Sequence, residues 1–157
     1  MSFQILPTSS CQESMYELIG EVTFYPIGCV SFPPFNAMRK HLTPSEVNIV
    51  SSQGVTSFEL GARSAASLSE SETSNGNSPE NQVTVKFSIV NPEAATIDAL
   101  EGVLAEPHHL LCRSMNEGMM WVSCLGEGYK TSLIENDGKL NVEIKITNHV
   151  GSQRVLS

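Results

Sequence analysis

Val83-Thr84-Val85-Lys86-Phe87-Ser88-Ile89-Val90 runs straight into Asn91-Pro92-Glu93, and the fold is decided at this junction. Val83, Val85, Phe87 and Ile89 recur at every second position, which places them on one face of a half-buried strand. The pattern then changes. Asn91 suits a helix N-cap, Pro92 suits the first helical position, and the carboxylate of Glu93 suits the positive end of the helix dipole. Ile97, Leu100, Val103 and Leu104 follow at three- and four-residue spacing, giving one apolar stripe, and Pro107 stops it. The spacing predicts a single helix over about 92–105, packed by that stripe against a sheet.

Upstream, Ser64–Gln82 is dominated by Ser, Glu, Asn and Gly, with turn chemistry at its centre, Asn75-Gly76-Asn77-Ser78-Pro79. It reads as a long hairpin loop with a polar tip. Val55–Leu60 follows a Gln53-Gly54 turn, and Glu46-Val47-Asn48-Ile49-Val50 alternates polar and apolar, so both read as strands. Downstream, Leu110–Arg113 and Met119–Ser123 flank Asn116-Glu117-Gly118. Tyr129–Glu135 and Leu140–Thr147 flank Asn136-Asp137-Gly138, where Asp-Gly is a strong short hairpin signal. The expected class is mainly β: a β-sandwich or barrel with one packed α-helix and a long hairpin loop.

Residues 1–45 read as an irregular N-terminal arm with a short strand at Glu21–Tyr25, and residues 46–157 as a single β-sandwich-like domain. Phe32-Pro33-Pro34-Phe35 cannot be helical, and must lie on another surface to bury its two rings. Met1–Pro7 has neither the basic region nor the apolar core of a secretory signal.

The chain has 157 residues, 40% of them hydrophobic, enough for one domain with a real core. No apolar run approaches the roughly 20 residues of a membrane-spanning helix, so no membrane partner is expected. A net charge of −8 and a pI of about 4.9 disfavour a protein that grips nucleic acid. An acidic wall can still let a duplex slide past, because like charge repels it.

Four cysteines, Cys11, Cys29, Cys112 and Cys124, show no CxxC spacing and read as reduced, buried thiols. His108-His109 with Cys112 is the one grouping with the residue types of a zinc site or a nucleophile–base pair. Neighbours on a strand point to opposite faces, however, so the two histidines cannot readily share a metal. Their plainer reading is a polar loop between helix and strand. Gly126-Glu127-Gly128 lacks the third glycine and the Lys-Ser or Lys-Thr of a phosphate loop. Ser64–Ser74 has hydroxyls but no GxSxG elbow. Asp98 and Glu101 read as the solvated side of the helix. The expectation is no catalytic residue, no metal and no cofactor.

Met115, Met119 and Met120 gather beside Trp121, as apolar side chains do in a core or a subunit contact. With the aromatics of the arm and the hairpin tip they make Phe32, Phe35, Met119, Met120, Ser74 and Asn75 the candidate subunit-interface residues.

The order Val83–Val90, Asn91-Pro92 and helix to Glu106, Leu110–Arg113, the Gly118–Val122 hairpin and the Asn136-Asp137-Gly138 hairpin resembles that of small bacteriophage tail-tube and tail-associated proteins. The likeness is architectural and spans roughly residues 46–157. It implies a virion structural protein of a tail or neck, assembled in the host cytoplasm into a homo-oligomeric ring with other virion proteins. DNA would be only a passing, non-specific contact in the lumen. Such proteins work by assembly, so no functional residues carry over. The Pro- and Phe-rich N-terminal segment departs from the plainest tube proteins and leaves neck, connector and hub positions open. The alternative is a small β-sandwich module binding carbohydrate or peptide on a platform of Tyr25, Phe32 and Phe35. An enzyme using His108, His109 and Cys112 ranks third.

Overall fold

A computed structural model describes residues 15–33, 41–60, 66–75, 78–114, 118–125 and 128–156. Twelve strands and one helix appear in it. The strands are β1 (Met15–Pro26), β2 (Val30–Ser31), β3 (His41–Leu42), β4 (Asn48–Ile49), β5 (Thr56–Glu59), β6 (Ser67–Asn75) and β7 (Ser78–Val90). After α1 (Ala94–Ala105) come β8 (His108–Ser114), β9 (Met119–Val122), β10 (Tyr129–Asn136), β11 (Lys139–Asn148) and β12 (Ser152–Val155). The fold is mainly β with one packed helix, as the sequence predicts.

Ten strands hydrogen-bond in the order β10-β11-β7-β6-β1-β8-β9-β12-β3, with β5 also on β1, while β2 and β4 form a separate pair. The path turns within β1. Met15–Leu18 pairs with β6, whereas Glu21–Phe24 pairs with β5. On its other side β1 pairs with β8, with a register shift between Ile19 and Glu21. A bulge adds a residue and bends a strand. Gly20 sits at this one, and there the backbone changes partners: Ile19 N–H bonds to Ala66 O and Leu60 N–H to Gly20 O.

Bending at β1 brings two inner faces together. Val83, Val85, Phe87, Val142, Ile144 and Ile146 meet Val22, Phe24, Leu110, Cys112, Met120 and Val122 in one buried cluster. Phe58 of β5 reaches Phe87 of β7 across the layer at 6.4 Å and Phe24 edge-on at 5.7 Å. Leu100, Val103 and Leu104 add the helical stripe to this core. The Tyr129 hydroxyl donates to Val103 O at 2.9 Å and Thr131 Oγ1 to Leu104 O at 3.0 Å, which moors the last turn of α1 on the inner side of β10.

Several expectations are corrected. The short strand at Glu21–Tyr25 belongs to a twelve-residue strand in the middle of the sheet, so the N-terminal segment is no irregular arm there. Hydrogen bonds also cross residue 45, since β3 pairs with β12 and β2 with β4. Glu46–Val50 is mostly not strand: Pro44–Glu46 forms a 3-10 turn, and only Asn48–Ile49 pairs. Here the Glu46 carboxylate accepts from Thr43 N–H at 2.8 Å and from the Thr43 hydroxyl at 3.0 Å, a local cap that outcompetes the alternating pattern. Asn91 does not cap the helix. It takes φ 51° and its N–H bonds to Gly138 O, so it serves the exit from β7, and α1 begins at Ala94 behind Glu93, which gives no side-chain cap. The Asp137-Gly138 hairpin is as expected. Both residues have positive φ, 55° and 75°, as a type I′ turn requires.

Candidate functional site

His108 and His109 lie within β8, where a loop was expected, and they face opposite sides as strand geometry demands. His108 points into the main core, edge-on to Phe24 at 6.1 Å and 6.3 Å from Tyr129. Its Nδ1 pairs with Glu106 O at 2.7 Å. His109 points outward from the same strand, yet it is equally buried. A second apolar layer covers that outer face. Cys29, Val30 and Leu42 pack on Trp121, with Tyr25, Phe32, Val47, Leu111 and Val155 around them. Phe32 stands edge-on to His109 at 4.8 Å and to Trp121 at 5.4 Å, and Tyr25 lies 5.2 Å from Trp121.

Both nitrogens of His109 are committed to backbone. Nδ1 accepts from Cys124 N–H at 2.9 Å, and Nε2 pairs with Ile27 O at 3.3 Å. One nitrogen accepts and the other donates, which fixes a neutral Nε2–H tautomer. Burial pushes the His109 pKa below its usual value, outweighing the Ile27 carbonyl, which favours the charged ring. A histidine so held bridges the cover segment, through Ile27, to the end of β9, through Cys124. It has no lone pair left for a metal or a substrate proton.

Cys112 sits on the inner face of β8, fully buried, and burial pushes its thiol up to about 12. The thiolate needed for attack or metal binding is therefore absent near neutral pH. His109 and Cys112, three residues apart on a strand, project to opposite faces, so the grouping seen in the sequence is not a constellation in space. Cys29, Cys112 and Cys124 are buried thiols outside any disulfide. Among the described residues no three His, Cys, Asp or Glu side chains converge as a metal site.

The proposed interface residues scatter. Phe32 is spent on the second apolar layer, and Tyr25 with it, so neither forms an exposed platform. Met120 is fully buried on the inner face opposite Cys112, out of reach of any neighbour, because strand alternation turns it inward. Met119, its neighbour, is half-buried and opposite Arg113. Ser74 and Asn75 end β6 at the hairpin tip, in register with Pro79 and Ser78. Phe35 lies outside the described residues.

Among the described residues the β6–β7 hairpin runs past the end of β11. Within those residues, which begin on β1 at Met15, β1 accompanies β6 to Glu70, and β11 accompanies β7 from Asn81 onward. Beyond these points Ser71–Asn75 and Ser78–Glu80 continue as a two-stranded ribbon with no other described strand beside it. Glu70, buried at the ribbon's base, accepts from both the backbone N–H and the hydroxyl of Ser152, at 3.0 and 2.7 Å, tying the base to β12. Asn148 does similar work nearby. Its Nδ2 donates to Ser123 O at 2.7 Å, and its Oδ1 accepts from Val150 and Gly151 N–H, closing the turn into β12. Neither role carries a sequence signal, because each joins segments far apart in the chain or sets a turn around a single Asn.

Among the described residues no helix is long and apolar enough to cross a membrane. No protein-family model, curated protein or solved structure matches the chain.

Proposed function

We propose that this chain is a virion structural protein of a bacteriophage tail or neck, assembling into a ring or tube through which DNA passes. The projecting β6–β7 ribbon carries the reading. A two-stranded ribbon alone in water is marginal at best, and it gains stability when a third strand or another surface packs on it. Five residues of strand reach about 17 Å at roughly 3.3 Å per residue, far enough to lie on an adjacent subunit. The Glu70–Ser152 pairing supports the ribbon at its root, where such a lever would transmit load. His109 and Cys112, the side chains with most chemical potential in the sequence, are both committed to packing. The acidic balance suits a channel that repels the duplex it passes.

Light scattering on a size-exclusion column, over a range of concentrations, tests this directly. The intact chain should give a discrete high-order oligomer. A variant lacking residues 73–80, with the strands joined through a two-residue Asn-Gly turn, should stay monomeric. An intact chain that remains a 17.0 kDa monomer at every concentration would overturn the reading.

A further inference from the structure

The chain has five lysines, and four of them, Lys86, Lys130, Lys139 and Lys145, stand on one surface. Alternation along β7, β11 and β10 turns Val85, Phe87, Val142 and Ile144 inward and these lysines outward. Among the described residues of those strands, Glu143, 3.5 Å from Lys86, and Glu80 oppose them on the outer side, with Asp137 exposed in the turn before Lys139. The face is thus net positive on a chain of net charge −8, so the excess negative charge is concentrated elsewhere. Lys130 and Lys145 stand directly opposite each other in the ladder, a like-charge pairing that is unfavourable in an isolated sheet. Beside them, Lys86, Ser88, Ser132, Ile134, Asn141 and Glu143 line an open groove of about 380 Å³. Ile134 in that groove is 59% exposed.

The complementary surface is α1. No Lys or Arg occurs between Asn91 and Pro107, while Glu93, Asp98, Glu101 and Glu106 are all exposed. The free side of the helix is Ala94, Ala95, Asp98, Glu101, Gly102 and Ala105. Two carboxylates set among small side chains let a helix axis come close to a flat surface. The same helix cannot reach the lysines of its own chain. It is moored to the inner side of β10 through Tyr129 and Thr131, and the lysines occupy the outer side.

We propose that the lysine face of β7–β11–β10 docks the α1 helix of a second copy of this chain. The inference rests on the self-assembly reading and specifies its contact. Because the two surfaces differ and face apart, the contact is heterologous, and repetition generates a ring or a filament rather than a two-fold dimer. Ile134 supplies the apolar centre, against Ala94, Ala95 and Ala105, inside a rim of ion pairs.

The test is oligomer mass by light scattering at 50 and 500 mM salt, for the intact chain and three variants whose fold is checked by circular dichroism. Lys130→Glu with Lys145→Glu, and Asp98→Lys with Glu101→Lys, should each weaken association at least tenfold. The quadruple variant should regain it, and high salt should weaken the intact oligomer, since exposed charges are screened within about 8–10 Å at physiological ionic strength. Oligomers indifferent to salt and to both double variants would overturn this contact while leaving assembly itself standing. An intact chain that is monomeric throughout would overturn both. Binding of a DNA oligonucleotide that the lysine variants abolish, with oligomer mass unchanged, would reassign the face to a polyanion and overturn docking of a second copy.

Discussion

Replacing His109 with Ala should destabilise the fold strongly, although the residue has no catalytic part to lose. The substitution leaves Cys124 N–H buried without its 2.9 Å acceptor, and an unsatisfied buried donor costs about 1–3 kcal/mol. It also removes the edge-on contact with Phe32 at 4.8 Å, worth about 0.5–1.5 kcal/mol where two aromatic rings meet so. Together these give a loss of about 2–4 kcal/mol, a large share of a typical domain's stability. Gln in the same place offers one acceptor and one donor, and should recover part of it. Urea unfolding at pH 7.5 measures both.

Acid separates this role from simple packing. Burial holds the folded-state pKa of His109 below its usual value. Between the unfolded and folded values, therefore, the unfolded chain binds a proton that the native chain refuses. Stability rises with pH wherever the unfolded state binds more protons. His109 should thus cost stability as pH falls below about 6.5, with a slope of at most about 1.4 kcal/mol per pH unit. His109→Gln should lose that part of the slope. A His109→Ala variant within 0.5 kcal/mol of the parent, or parent and Gln variant with identical acid dependence, would refute the assigned hydrogen bonds.

Two further outcomes follow from backbone fit and thiol burial. A Cβ at Gly128 would stand 2.8 Å from Thr147 O and Cβ, beside the Thr147 N–H···O Gly128 bond, so Gly128→Ala should lower the urea midpoint by about 1–3 kcal/mol equivalent. Gly102→Ala on the exposed side of α1, where a Cβ meets nothing within 4 Å, should instead gain up to about 1 kcal/mol. Cys112, with its thiol pushed up to about 12, should react with a thiol reagent at pH 8 only at the rate of unfolding. Rapid native-state labelling, located by mass spectrometry, would contradict its burial.

Strand alternation and the hairpin turns were legible because they are local. Val83, Val85 and Phe87 turned inward as their spacing requires, and Asp137-Gly138 took the turn its residue types prefer. What escaped depended on distant partners. Asn91 looks like a cap in isolation, but Gly138 O, 47 residues on, claims its N–H. Thr43 and Glu46 lock a 3-10 turn whose apolar alternation suggests a strand. His108 and His109 looked like loop residues because two adjacent histidines rarely suit a strand buried on both faces. Only a second apolar layer makes both sites buried, and it is built from segments around Cys29, Phe32 and Leu42, contributed by a stretch whose prolines conceal any periodicity.

That second layer also bears on assembly. A subunit reaching its neighbour with aromatic side chains must leave them uncovered, and here Tyr25, Phe32 and Trp121 cover one another within the chain. Apolar side chains such as Ile49, Val50 and Leu125 are exposed, and the polar and charged features among the described residues are the β6–β7 ribbon, the face carrying four lysines and the helix carrying carboxylates. Contacts of that composition are screened by salt and reversible while subunits are being added. Apolar contacts of equal area would bind before the geometry was right, and a wrongly placed subunit would stay. For a particle built from many copies of one chain, ion pairs between unlike faces favour correction during growth. In the proposed assembly the ribbon would add contacts once a neighbour is seated, locking placements that the charges had selected.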